Sequence, residues 1–145
     1  MRALALFAVI ALGVLSAAGG AGAQADRYAE GQVWEYHTRP GDEGSILKIQ
    51  KIENDAAFEK LGPVYHISVI GFKLTNPAVV PVLQQAPVTR ATLDASVTRL
   101  SPRTDAFPNA AEGIAAWRKA KGGVYTVSVA QIIDGTELAT RNLGR

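Results

Sequence analysis

Two histidines and a nearby glutamate are the residues of this chain best suited to metal chemistry. Glu35 lies two positions before His37, so an extended strand places both side chains on one face. A neighbouring strand that carried His66 would complete a site of two histidines and one carboxylate. The chain contains neither a His-x-x-x-His nor a His-Glu-x-x-His motif. A small metal-assisted hydrolase that uses Glu35, His37 and His66 is therefore an alternative function, and no cofactor is expected otherwise.

Nucleophilic catalysis finds little support in the residue types. The chain has no cysteine, and no serine stands in a Gly-x-Ser-x-Gly motif. The carboxylate pairs Asp42–Glu43 and Glu53–Asp55 fall in turn-forming segments, where acidic side chains are usually solvated. The residue types thus favour a protein that is not an enzyme, and we assign no catalytic residue.

A long apolar segment, residues 75–88, is the feature most typical of binding. Its three prolines exclude a helix and a central strand, so we expect an extended loop. Loops of this length inside a small domain are often functional, and exposed apolar patches mark interaction sites. The alternative is that the loop covers an edge of the sheet. The candidate binding residues are Val79, Val80, Val82 and Leu83.

Two aromatic residues, Trp34 and Tyr36, alternate with polar residues on a predicted strand. They extend the candidate binding surface if the sheet edge beside the loop is open. Aromatic residues at strand spacing are also typical of a core, so both interpretations stay open.

The first 25 residues have the composition of a signal peptide. Arg2 precedes an uncharged stretch from Ala3 to Leu15, which is too short to cross a bilayer of about 30 Å. The small residues after it offer two cleavage sites, Ala21-Gly22-Ala23 and Ala23-Gln24-Ala25. We expect export to the periplasm or the medium, no transmembrane segment in the remaining chain and, without cysteine, no disulfide or bacterial lipid anchor.

Residues 26–145 have the length of one domain, and their patterns predict strands first and helices later. Strands are expected at 33–38, 45–52, 64–74 and 124–127 from their alternating or continuous apolar residues. Helices are expected after the capping residues Thr89, Asn109 and Ser128, and the first of them continues through Leu93, Val97 and Leu100.

This order predicts an α+β fold rather than a doubly wound one. We expect a mostly antiparallel sheet of about four strands, with two or three helices packed on one face, over Trp34, Tyr36, Leu47 and Ile49. A small half-open barrel is the alternative.

The charge pattern argues against nucleic acid as a partner. The whole chain carries a net charge of +2, and its basic residues cluster only at Arg118, Lys119 and Lys121, near a predicted helix end. Cations favour that position without any ligand, whereas a nucleic-acid binder usually has a broad basic face.

The stretches Gly31–Tyr36 and Thr92–Thr98 resemble a group of small exported bacterial proteins without known activity. The resemblance implies a bacterial, exported, single-domain protein and no functional residue. Together these features predict a non-enzymatic binding domain whose partner is a protein or a small molecule of the cell envelope. The alternatives are the metal-assisted hydrolase and a structural protein of the envelope. The sequence does not indicate the oligomeric state.

Overall fold

The computed structural model describes residues 27–55 and 60–144. The predicted signal peptide, residues 1–25, lies outside this range. Within the described residues, no helix has the length and apolar character needed to span a bilayer.

The described residues form one five-stranded sheet and three helices. Every neighbouring pair of strands is antiparallel, and the spatial order is β4-β3-β2-β1-β5. The α+β class and the antiparallel sheet are therefore confirmed, with one strand more than expected. The strands are β1 (Val33–Tyr36), β2 (Ile46–Glu53), β3 (Val64–Ile70), β4 (Leu83–Thr89) and β5 (Val97–Leu100), and the helices are α1 (Arg90–Ser96), α2 (Ala111–Ala120) and α3 (Val129–Thr140).

One face of the sheet forms the main core with α1 and α3. Leu93 of α1 and Ile133 of α3 are fully buried in the same apolar cluster as residues from β1 to β4. Tyr28 adds edge-to-face ring contacts with Trp34 and Tyr65, at centroid distances of 5.6 and 5.5 Å. The expected covering of the sheet by helices is thus found here, over Trp34, Tyr36, Leu47 and Ile49.

The opposite face carries α2, which corrects the expectation that the helices share one face. His66 points away from the core that holds Tyr65 and Ile67, because side chains alternate along a strand. Its ring packs against Trp117 of α2, with 4.7 Å between centroids. The buried stripe of α2, Ile114 and Trp117, therefore covers a smaller second core.

The segment predicted as a long loop contains a strand, which is a second correction. Residues 83–89 form β4, although Pro87 lies within them. β4 is an edge strand, and the Pro87 carbonyl faces outward to accept a hydrogen bond from the Tyr125 N–H. A missing N–H at an outward position interrupts no pairing with β3, so proline is tolerated there.

The first predicted helix is shorter than expected. Thr89 caps α1, and its side chain accepts a hydrogen bond from the Thr92 N–H, as predicted. The helix ends at Ser96, and Val97 begins β5 by pairing with Tyr36. The pairing with β1 overrides the helical spacing of the apolar residues, and Val97 is β-branched and suits a strand.

The other predicted helices are present, whereas the predicted strand at 124–127 is reduced to one bridge. α3 begins after Ser128, which forms a capping box with Gln131. The N-cap of α2 is Ala110 rather than the predicted Asn109, whose side chain accepts a hydrogen bond from the Ala111 N–H. The bridge joins Tyr125 to Val88 of β4 in parallel orientation.

Candidate functional site

The outer edge of β4 is paired at one end. The Tyr125 N–H donates to the Pro87 carbonyl at 2.8 Å, and the Thr89 N–H donates to the Tyr125 carbonyl at 3.1 Å. Among residues 27–55 and 60–144, no strand pairs with this side of β4 nearer its beginning at Leu83. The Leu83 end of this edge therefore has no neighbouring strand within these residues, and a strand edge of this kind is able to pair with a further strand.

A bulge shapes β4 at the open end of this edge. Ala86 pairs with Ile67 and Leu83 pairs with Val69, so two residues of β4, Gln84 and Gln85, lie opposite the single residue Ser68. The Ser68 hydroxyl donates to the Gln84 carbonyl at 2.6 Å. A bulge of this kind re-aims a side chain, and here the Gln85 amide reaches His66.

A cavity of about 400 Å³ opens beside the paired end of β4. Aromatic rings and a proline supply much of its wall, and an amide supplies a polar group. The lining residues are Gln85, Pro87, Trp117, Gly123, Val124 and Tyr125. We call this cavity the edge pocket. It has the mixture of apolar surface and a few polar groups that is typical of a binding site.

The wall formed by Trp117 is fixed by the turn that ends α2. Lys121 adopts a left-handed conformation with φ of 51°, and the Trp117 indole N–H donates to the Gly123 carbonyl at 2.9 Å. A Cβ at Gly122 would lie 2.4 Å from the indole Cδ1. Glycine at position 122 therefore lets the chain pass directly against the indole ring.

Behind the edge pocket lies the fully buried imidazole of His66. Its Nδ1 accepts a hydrogen bond from the Gln85 side-chain Nε2 at 2.8 Å, an assignment that places the ring proton on Nε2. The Nε2 atom has no hydrogen-bond partner in the described part of the protein. The nearest carboxylate oxygen, Oε1 of Glu53, is 3.5 Å away.

Burial is the main reason that the pKa of His66 lies below its ordinary value of 6.5. The negative charge of Glu53 opposes this shift, while Arg118 and Lys51 add to it. Glu53 is itself largely buried and bonds through Oε1 to the half-exposed guanidinium of Arg118. The site therefore holds a neutral imidazole next to a carboxylate–guanidinium pair.

The three residues predicted as metal ligands are not brought together. Glu35 forms an ion pair with Arg99 of β5, and His37 is exposed just beyond β1. His66 lies on β3, with β2 between it and β1. No group of three potential ligands is present among the described residues.

The predicted binding residues divide between the core and the surface. Trp34 and Tyr36 are buried, with polar atoms bonded to Gln32 and Ser45. Leu83 packs against the main core, and Val79 and Val82 are half-buried. Val80, with 74 % of its surface exposed, is the member of this set that faces solvent.

The residues of the edge pocket were missed in the sequence. Trp117 has a helical spacing from Ile114 that indicates only a buried stripe. Arg118 follows Trp117 directly, and the pair Gly122-Gly123 begins five positions after Trp117. This spacing is the local signal of a tight turn against a large ring. No local pattern connects Gln85 with His66, because their contact depends on the bulge.

Comparison with known proteins finds no matching family model, no similar curated protein and no matching solved structure.

Proposed function

We propose that this protein is an exported, non-enzymatic binding domain that holds an extended segment of a partner protein against the outer edge of β4. The observation that carries the proposal is the bridge between Val88 and Tyr125. It supports the proposal because the same edge already pairs with the backbone of Tyr125, and the edge pocket lies beside that bridge. Backbone hydrogen bonds supply affinity in such strand addition, and pockets for side chains supply specificity.

The path of the partner segment is set by the features along the edge. It begins at the edge pocket beside Tyr125, follows β4 past the bulge at Gln84 and Gln85, and reaches Leu83. The exposed side chain of Val80 lies three residues before β4 begins and offers an apolar contact at the far end. The binding residues are then Gln85, Tyr125 and Val80.

The charge around the edge pocket favours an acidic segment. Lys119 and Lys121 are exposed, and neither forms an ion pair within the described part of the chain. They lie between the pocket residues Trp117 and Gly123 in the sequence. Carboxylates on the partner would complement these lysines, while one apolar or aromatic side chain would enter the pocket.

The test uses a peptide probe of about ten residues, the upper end of usual strand lengths, in which glutamate alternates with tyrosine or valine. A second probe carries lysine in place of every glutamate. We expect the acidic probe to bind and the basic probe to bind at least about tenfold more weakly at low salt. Isothermal titration calorimetry measures both affinities.

Two charge-reversal variants locate the binding surface. The double variant Lys119→Glu, Lys121→Glu is expected to weaken the acidic probe by about tenfold, because it inverts the local charge. Lys60→Glu, Lys73→Glu is the matched control, since it also reverses two exposed cations and neither residue lines the edge pocket. Equal binding of both probes, or an equal loss in both variants, would contradict the proposal.

A further inference from the structure

His66 touches both walls of the edge pocket from inside the protein. It accepts a hydrogen bond from Gln85 on β4, and its ring packs against Trp117 on α2. We propose that protonation of His66 rearranges the edge pocket and thereby releases the partner segment in acid. The second half of this proposal, the release, rests on the function proposed above.

The first consequence of protonation falls on Gln85. In the neutral ring, Nδ1 is the acceptor for the Gln85 amide at 2.8 Å. A proton on Nδ1 makes it a donor, so two donors would face each other. The amide must then turn to present its oxygen to His66 or leave the ring. In either case the polar group that β4 offers to the edge pocket changes.

The second consequence falls on α2. The imidazolium would attract the Glu53 carboxylate, which lies 3.5 Å from Nε2 and is bonded to Arg118. The imidazolium and the Arg118 guanidinium would then be two like charges at one carboxylate, and their repulsion would weaken the Glu53–Arg118 bond. Arg118 follows Trp117 directly, so a weaker Glu53–Arg118 bond loosens the turn of α2 that holds the indole wall.

The charged groups around His66 come from two elements in the described structure. β2 contributes Glu53 and Lys51, and α2 contributes Arg118. The facing residues of β4, Gln85 and Pro87, are uncharged. Burial and the two cations keep the ring neutral near neutral pH, and the buried Nε2 without a hydrogen-bond partner is the group that an added charge would engage.

The direct test is a nuclear magnetic resonance titration of the wild-type protein from about pH 7.5 downward, over the range in which it stays folded. His66 is distinguished from His37 with the variant His37→Gln. We expect the Trp117 indole and Gln85 amide signals to follow the same titration curve as the His66 ring. The Trp34 indole, which lies in the main core and bonds to Gln32, is the internal control. Pocket signals that do not move while His66 titrates would overturn the proposal.

The binding arm measures the acidic probe at about pH 7.5 and at one pH unit below the His66 pKa found in the titration. If only the neutral form binds, the dissociation constant rises about tenfold at the lower pH. The variant His66→Asn keeps an acceptor near Nδ1 and has no imidazole to titrate, so we expect it to lose about tenfold less affinity than the wild type over the same interval, because protonation of the probe's own glutamates weakens binding to both proteins equally. An equal pH dependence in both proteins would overturn the regulation. A probe that binds at neither pH would contradict both the proposed function and the release in acid. The titration would still decide whether protonation rearranges the edge pocket.

Discussion

The Nε2 atom of His66 lies 3.5 Å from Oε1 of Glu53 and has no hydrogen-bond partner in the described structure, although the imidazole is fully buried. A buried donor without a partner costs free energy, so this arrangement lowers the stability of the domain. His66 contacts two residues that line the edge pocket that we propose as the binding site, Gln85 and Trp117. These contacts link the protonation of His66 to the edge pocket.

The pH dependence of stability follows from the lowered pKa of His66. His66 takes up a proton near pH 6.5 in the unfolded chain but only at lower pH in the folded protein. The free energy of unfolding therefore has its full value above pH 6.5, and it decreases as the pH falls toward the folded-state pKa. Titration of one histidine lowers the folding equilibrium constant by at most about tenfold per pH unit. Urea unfolding of wild type and His66→Asn between about pH 7.5 and 5.5 measures it. The variant should show a smaller dependence, and identical slopes would contradict the assignment.

The close approach of Gly122 to Trp117 gives a second prediction. Gly122→Ala would place a Cβ at 2.4 Å from the indole, so we expect a loss of about 1–3 kcal/mol in unfolding free energy from overpacking. Gly123→Ala is the matched control, because its Cβ would meet no atom within 4 Å. Denaturant unfolding compares the two variants. Equal stability of both would show that the indole does not occupy this position.

The capping box of α3 gives a third prediction. Ser128 accepts a hydrogen bond from the Gln131 N–H at 3.2 Å, and the Gln131 side chain accepts one from the Ser128 N–H at 3.0 Å. Ser128→Ala should cost about 1 kcal/mol, and Ser128→Asp should retain most of the stability. Thermal unfolding monitored by circular dichroism tests both. An alanine variant as stable as the wild type would exclude a contribution from the cap.

Processing of the chain gives a fourth prediction. Expressed at full length in a bacterium, the protein should appear in the periplasm or the medium with Asp26 or Gln24 as its first residue. Ala23→Arg disrupts both small-residue sites and should leave the precursor uncleaved. Intact-mass spectrometry of each fraction distinguishes the forms. A full-length protein confined to the cytoplasm would contradict export.

The parts of the fold that local residues dictate could be predicted from the sequence. Thr89 and Ser128 each begin a helix because their hydroxyls satisfy backbone N–H groups within three positions. The strands β1 to β3 and the helices α2 and α3 follow from periodicity in the same way.

The parts that depend on distant pairing could not be predicted. Val97 continues a helical apolar pattern, but pairing with Tyr36 makes it the start of β5. Pro87 argues against a strand in the sequence, because proline is tolerated only where its backbone faces away from the neighbouring strand. That direction is set by the fold, in which the Pro87 carbonyl faces outward to the Tyr125 N–H. The contact between Gln85 and His66 requires both the β3–β4 register and its bulge. Long-range pairing of this kind overrides local propensity and leaves no trace in a window of the sequence.

Hydrogen exchange of the β4 amides in the presence and absence of the acidic probe tests the central claim most directly. Strand addition should slow exchange at residues 83–85, on the open part of the edge, because these groups gain partners. The opposite edge, residues 98–100 of β5, serves as the internal reference and should not change. Slower exchange confined to 83–85 and the edge pocket is the result we expect. Unchanged exchange at β4 under saturating probe, or protection at β5 instead, would contradict binding at this edge.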